Sequence, residues 1–451
     1  MGIEISDTIE RAQFTRRLTL QAATLAIAPV AVMQLKGTDA LAAKQDSATP
    51  VAAIPVSGEE IPELTALNQV MLDTVTAWSI PGAQLAVSKD GKLAFSRGYG
   101  YADVDAGEGV QLNSLFRIAS VSKTITTVAI LKLVEDGSLS LSDKAFELLA
   151  LDPPANAVVD PRVFDITIEH LLVHAGGWDG GASGDVQYLP LSAMPALVFD
   201  QLQPSTAQLL VQYNLATALD FDPGSQSVYS NFGFNVLGRV IEKISGQTYE
   251  AFTKERVLDP SGASAMAIGH TRLAERLPNE VIYYGPERQL PRPSVFPGEG
   301  FVPVGYGSFF VESLDAHGGW IASAEDLIKF ATAIDGQRGE ALLTPETIAI
   351  METTPRPSAE AGEAGAGNSG APRFGLGWVV TEVDGGYEWA HAGALEGSNA
   401  SWLFRAADGV TIATIFNTLP EDYGTFFGGL QNDLRAAIAG VTTWPDQDLF
   451  G

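Results

Sequence analysis

Ser120-Val121-Ser122-Lys123 sets a hydroxyl and an amine three residues apart. The pair follows Phe116-Arg117-Ile118-Ala119 and opens an apolar run, Thr124 to Val134, that Asp136-Gly137 stops. That run predicts a helix. Side chains three apart on a helix share a face, with Cβ atoms ~5–6 Å apart, so Lys123 is placed to reach Ser120 Oγ. A serine hydroxyl alone is a poor nucleophile and needs a neighbouring base. Lysine becomes that base only when its surroundings lower its pKa from ~10.4. A helix start adds partial positive charge where an oxyanion would develop. A serine cap followed by a solvated lysine would give the same four letters. Lys123 nonetheless lies in an otherwise apolar helix, where an unpaired charge is expensive, and partners elsewhere in the chain have to decide.

Two further groups could supply them. In Tyr229-Ser230-Asn231, after Pro223-Gly224, a phenol near an ammonium can give or take a proton. Asn231 can hydrogen-bond both Lys123 and a substrate amide or ester. His391-Ala392-Gly393-Ala394 follows Trp389 at the end of a predicted strand. Small residues there let the backbone approach a ligand, and the Ala394 N–H could join that of Ser120 in an oxyanion hole. Taken singly, a buried tyrosine at a turn and an exposed strand histidine are the commoner situations.

Composition narrows the classes. The chain has 451 residues, 46% of them hydrophobic, enough for a large core, and no cysteine, which removes disulfides, thiolate metal sites and cysteine nucleophiles. Lys and Arg number 27 against 54 Asp and Glu, a formal net charge of −27. Such a surface repels phosphate backbones and anionic lipid, so no nucleic-acid partner and no stable membrane insertion are expected. Glu169-His170 with His174 lacks the H-E-x-x-H order of a helical zinc site. Gly180-Gly181-Ala182-Ser183-Gly184 lacks the Lys-Ser/Thr of a phosphate loop, and no serine sits in a G-x-S-x-G elbow. Neither metal nor cofactor is expected. The partner is a small-molecule ester or peptide substrate; oligomeric state is left open.

The elements that must position these groups fall into a pattern. Residues 1–42 read as a twin-arginine export signal, with Arg16-Arg17, an apolar stretch from Ala22 to Leu35, and Ala40-Leu41-Ala42 as the cleavage site. The expected location is therefore periplasmic or secreted, or cytoplasmic if the signal does not function. Residues 43–61 form a linker. Glu63 to Trp78 has helical spacing, and Ala83 to Tyr101 is a hairpin turned at Asp90-Gly91. Phe146 to Trp320 is mostly helical pattern broken by Gly/Pro loops. Ser323 caps a helix starting at Ala324. Arg356 to Pro372 reads as a surface loop. Strand-like runs at 377–383, 386–391, 398–405 and 410–416 precede a last helix, about Phe426 to Ala439. Strands at both ends with helices between them imply an α/β (α+β) chain: one antiparallel sheet from residues 62–145 and 321–451, flanked by helices, with an all-helical insertion over 146–320.

With these motifs in order, the chain resembles the serine β-lactamase and penicillin-binding-protein-like superfamily, close to class C β-lactamases and family VIII-like esterases. The resemblance also takes in Thr167 to Gly177, His317-Gly318-Gly319-Trp320 and Phe374-Gly375-Leu376-Gly377-Trp378. It implies Ser120 as the acylated nucleophile, Lys123 as its activator and Tyr229 as proton shuttle. Asn231 would position Lys123 and substrate, and the Ser120 and Ala394 N–H groups would form the oxyanion hole. His391-Ala392-Gly393 stands where relatives that act on β-lactams carry K-T-G, whose lysine helps hold a substrate carboxylate. A neutral histidine anchors a carboxylate less well. The resemblance therefore points to a carboxylesterase on small esters. A D-amino-acid peptidase or amidase, or a weak β-lactamase, is the alternative, and a non-catalytic penicillin-binding sensor is the alternative outside enzymes.

Overall fold

The computed structural model describes residues 54–188, 191–286, 288–354 and 371–451. The export segment, the linker up to residue 53 and residues 356–370 of the loop read from Arg356 to Pro372 lie outside the described residues.

The chain first forms helix α1 (Thr65–Ala77) and a hairpin, β1 (Gly82–Lys89) and β2 (Lys92–Asp103). Asp90 and Gly91 both turn with positive φ, +50° and +80°, the conformation that a two-residue hairpin loop requires. The next long helix is α2 (Ser122–Glu135), entered from a 3-10 turn over Ala119–Val121. Helix α3 (Asn231–Ser245) and the short α4 (Asp315–Gly318) lie against α2. Helix α5 (Ala324–Ala333) starts from a capping box made by Ser323 and Asp326. Strands β3 (Val379–Val383), β4 (Gly386–Leu395), β5 (Asn399–Arg405) and β6 (Val410–Phe416) follow, and α6 (Tyr423–Ala439) closes the fold.

The two ends of the chain meet in one antiparallel sheet, in the order Val56–Ser57, β2, β1, β6, β5, β4, β3, Arg373–Phe374. The joining register runs from Val410 opposite Lys89 to Phe416 opposite Ala83. Strands β5 and β6 are buried along their whole length, because both faces of the sheet are covered. On one side Leu85, Val87, Phe95, Trp402, Phe404 and Ile412 pack against Leu67 and Met71 of α1 and Phe426 and Leu430 of α6. On the other, Ala86, Leu403, Ala413 and Ile415 join the core of α2, α3 and α5. The expected fold class is the one adopted.

The middle of the chain is less uniform than the all-helical insertion expected from the sequence. Between Gly262 and Phe310 the described residues hold no α-helix, only a 3-10 turn and the two-residue strands Ala267–Ile268, Arg292–Pro293 and Phe301–Val302. Pro278, Pro286, Pro291, Pro293, Pro297 and Pro303 fall in this stretch, and each removes a backbone donor that a helix would use.

Helix α2 is the element that matters for chemistry. Every side chain from Ser122 to Leu131 is buried, the polar Ser122, Lys123, Thr124, Thr126 and Thr127 included. Its threonines satisfy their hydroxyls on carbonyls of the preceding turn or, for Thr126, also on the Ala316 carbonyl of α4. A lysine in its first turn therefore points into protein.

Candidate active site

Ser120 sits in the 3-10 turn ahead of α2, after Ala119, whose φ is +44°. A residue with a Cβ pays ~1–2 kcal/mol for that conformation, so its surroundings must hold it. Ile118 N donates to Trp320 O at 3.0 Å, and Ser401 Oγ donates to Ile118 O at 2.7 Å. Strand β4 then closes on the turn. A Cβ on Gly393 would stand 2.3 Å from Ile118 O, 2.3 Å from Ser401 Oγ and 3.1 Å from Ser120 N. Only glycine allows this approach.

Lys123 is fully buried. Its Nζ lies 3.1 Å from Ser120 Oγ, 2.9 Å from Asn231 Oδ1 and 2.8 Å from His317 O. Burial drives its pKa well below the usual lysine range, and the nearby Asp185 charge opposes the shift only in part. As a neutral amine, Lys123 can give its two N–H bonds to Asn231 and His317, which leaves the lone pair facing the Ser120 hydroxyl.

Asn231 is held at the start of α3 by the Ser230 cap, whose Oγ accepts from Gly233 N. Its Nδ2 donates to Asp185 Oδ2 at 2.9 Å. The Tyr229 ring centroid lies 4.9 Å from Lys123 Nζ. Its hydroxyl is buried and, among the described residues, has no hydrogen-bond partner in ordinary geometry, with Ser120 the neighbouring side chain. Burial raises the phenol above its ordinary value, and the neighbouring Ser120 side chain pulls it back, so the phenol carries its proton at neutral pH. His174 stacks on Tyr229 with ring centroids 4.6 Å apart and accepts from Ser230 N through Nδ1.

His391 is buried, not exposed, with Nδ1 2.8 Å from Ala392 O. Burial first, and Lys123 second, hold its pKa down at about 3. It is neutral at ordinary pH. His174 and His317, also buried and also facing Lys123, are lowered for the same reasons. Ala394 lies opposite Ala400 of β5, while β3 pairs with β4 only as far as Ala390. Among the described residues the edge of β4 from His391 to Leu395 is thus unpaired beside the Ser120 turn.

The sequence-predicted Ser120, Lys123, Tyr229 and Asn231 come together through contacts with Lys123; His391 faces the same amine, and Gly393 abuts the Ser120 backbone. Sequence reasoning missed His174, Asp185 and the His317 carbonyl. Asp185 belongs to a polar Gly/Ser/Asp loop where no letter stands out, and a backbone carbonyl has no letter at all. Tyr188 and Phe309 pack with Ala119, Val304 and Leu395 beside Ser120. Trp178, with Gly184, Asp185, Tyr229 and Asn231, lines a cavity of about 30 Å³. Trp320 is core, and Phe310 packs on Phe296. His170 is turned to its own helix cap, accepting from Thr167 N. Among the described residues, His270, Glu275 and Glu312 bring three ligand atoms within 4.8 Å. That group lies outside this site, and Arg272 and Thr271 already engage its carboxylates.

The Beta-lactamase family model matches residues 67–426. The chain is 32% identical over 272 residues to Probable fimbrial assembly protein FimD, serogroup H1, of Dichelobacter nodosus, covering 59% of this chain and 61% of that protein, less than two thirds of its length. It is 28% identical over 393 residues to Esterase EstB of Burkholderia gladioli, covering 79% of this chain and 90% of that one. The fold is similar to that of the D-amino acid amidase from Ochrobactrum anthropi SV3, with a TM-score of 0.63 at 21% identity over 84% of this chain and 99% of the other.

Proposed function

Because the chain belongs to the β-lactamase family, we propose that it is a serine hydrolase that acylates Ser120 and cleaves small, uncharged carboxylic esters. The observation that carries this reading is the buried Lys123 amine, held on two fixed acceptors and 3.1 Å from Ser120 Oγ.

In this reading Lys123 takes the Ser120 proton as Oγ bonds to the ester carbonyl carbon. The Ser120 N–H and an N–H of the open β4 edge, that of Ala394, receive the oxyanion. The C–O bond to the alcohol then breaks. Tyr229 gives its proton to the departing alkoxide and regains one from the Lys123 ammonium. Water attacks the acyl-enzyme by the reverse route, and Ser120 leaves with a proton.

Ester preference follows from charge. A substrate carboxylate needs a cation, and the position available to one holds a buried, neutral His391. The likeness to Esterase EstB supports the same reading. A second reading, hydrolysis of D-amino-acid amides or small peptides, is favoured by Asp185, whose carboxylate lines the cavity beside Tyr229 and would attract an ammonium. The twin-arginine segment adds the proposal that the enzyme is exported, checked by locating the full-length chain in cell fractions.

The test is a panel of short p-nitrophenyl esters, a chromogenic cephalosporin and a D-alanyl anilide, each with wild type and Ser120→Ala. Fastest turnover of the esters, lost in Ser120→Ala, is the expected result. Fastest turnover of the anilide would install the second reading. A single acylation burst without turnover would make the protein a sensor, and ester turnover that survives Ser120→Ala would remove the mechanism.

A further inference from the structure

Asn231 reads differently depending on which end of its amide faces Lys123. Its oxygen accepts an N–H of the amine and so fixes the direction of the lone pair; its NH2 group would compete for the lone pair that Ser120 needs. Nothing in α3 itself decides between the two ends. Asp185 does. Its Oδ1 accepts from Gln187 N at 3.0 Å, which locks the carboxylate into its own turn. The other oxygen, Oδ2, then lies 2.9 Å from Asn231 Nδ2. Burial raises the Asp185 carboxyl above the usual aspartate range, and the bonds from Asn231 and Gln187 N, with Lys123 nearby, pull it back; as a carboxylate it has acceptors only, which turns the NH2 end of Asn231 to Asp185 and Oδ1 to Lys123, as found at 2.9 Å.

We propose that Asp185 is a positioning residue that fixes the amide of Asn231 and, through it, aims the Lys123 lone pair at Ser120. This inference rests on the serine-hydrolase reading above. Asp185 touches neither Ser120 nor the scissile bond in this role; it acts through Asn231. Asparagine in its place would have one acceptor where two are used, so either the turn to Gln187 or the orientation of Asn231 is lost.

The charged and titratable groups facing Lys123 are Asp185 from the loop, Tyr229 ahead of α3, His174, His317 from α4 and His391 from β4. Of these only Asp185 is an acid that can favour the ammonium. Its removal therefore lowers the pH at which Lys123 gives up its proton. A purely structural loss would cut the rate without moving that limb.

The experiment compares ester kcat/KM against pH for wild type, Asp185→Asn, Asn231→Asp and the exchanged pair carrying both. Asp185→Asn is expected to lose ~10–100-fold, as for a misplaced base, with its acid limb shifted to lower pH. In the exchanged pair the amide now at position 185 can accept from Gln187 and donate to the carboxylate now at position 231. That carboxylate still offers an oxygen to Lys123. The exchanged pair should recover at least about tenfold over Asn231→Asp, with the limb shifted to higher pH by the charge now beside the amine. An unmoved limb in Asp185→Asn, or an exchanged pair no better than Asn231→Asp, overturns the proposal. Should Asp185→Asn fail to fold, the comparison of the exchanged pair with Asn231→Asp decides alone. Failure of the hydrolase reading shows separately, as wild-type turnover that does not depend on Ser120.

Discussion

Lys123 Nζ lies 2.8 Å from the carbonyl oxygen of His317, so α4 supplies the amine with an acceptor that no substitution at His317 can delete. With Asn231 Oδ1 as the second acceptor, the amine has two of its directions assigned and its third turned to Ser120. The arrangement depends on α4 lying close under α3. A Cβ on Gly238 would stand 2.6 Å from Ala316 Cβ, and Arg239 reaches across to Asp315 within the buried interior.

A neutral amine is what the proposed chemistry requires, and this separates lysine from arginine. Arginine remains protonated at any accessible pH and has no lone pair to offer. Lys123→Ala and Lys123→Arg are both expected to lose at least ~10²-fold in kcat on a p-nitrophenyl ester, the usual cost of losing a positioned base. Stopped-flow acylation measures this. Retention of near-wild-type acylation by Lys123→Arg would show that the amine serves as a charge and not as a base.

The tyrosine carries a related expectation. Its phenol holds its proton at neutral pH, so in the proposed reaction it would pass that proton and not stand as a phenolate. Tyr229→Phe should lower kcat by at least ~10²-fold for esters with poor leaving groups. The loss should shrink for p-nitrophenyl esters, whose leaving group needs little protonation. Equal losses across a series of alcohols of rising pKa would count against the proton-transfer role.

Three buried histidines make the fold acid-sensitive. His174, His317 and His391 are neutral when folded and ionise near ~6.5 when unfolded. Below that pH the unfolded chain binds protons that the folded chain does not, so stability falls as pH falls. For His391 the loss continues down to its folded pKa of about 3. Each group contributes up to ~1.4 kcal/mol per pH unit in its window. Melting temperature should therefore drop steeply between pH ~6 and ~4, and His391→Gln should make the slope shallower. A slope unchanged by that substitution would mean His391 titrates while folded.

Much of this was legible before any coordinates. The hairpin at Asp90-Gly91, the Ser323 cap, α1 and the strands of the C-terminal half follow from local turn chemistry and alternation, and they appear within a few residues of their expected bounds. The site was legible only where a side chain carries the chemistry. Ser120 and Lys123 share a helical face, and Tyr229 and Asn231 flank a helix cap. What stayed hidden depends on distant packing. His391 is commoner as an exposed strand residue, yet the neighbouring elements bury it. Asp185 gains its meaning only from where Asn231 points. In the stretch from Gly262 to Phe310 the Gly/Pro loops extend further than the mostly helical pattern suggests, because proline withdraws donors without showing where the backbone goes instead.

Breaking the Arg239–Asp315 pair tests whether α3 and α4 hold the site as one unit. Both side chains are buried, and among the described residues Glu242 also pairs with Arg239. Asp315→Ala leaves a buried guanidinium under-compensated, a change that costs ~3–5 kcal/mol in buried pairs. Denaturant melts should show that loss, and kcat should fall with it because the His317 carbonyl moves. A stability loss with unchanged kcat would show that α4 need not be fixed for Lys123 to work.

The closest approach in the site gives the sharpest prediction. Gly393 lies where β4 meets the Ser120 turn, with room for no Cβ: two oxygens would stand 2.3 Å from it, one of them backbone. Ser401 Oγ could rotate away, at the cost of its bond to Ile118 O. Ile118 O cannot move without Ala119, which is already held in a left-handed conformation. Gly393→Ala must therefore displace the turn that carries Ser120. Overpacking of this kind costs ~1–3 kcal/mol, so the protein should still fold, with a lower melting temperature. Acylation should suffer more, because a displacement of about 1 Å at the reacting atom is worth on the order of 10²-fold in rate. Gly393→Ala with normal acylation by a fluorophosphonate probe would place the Ser120 turn further from β4 than the structure has it.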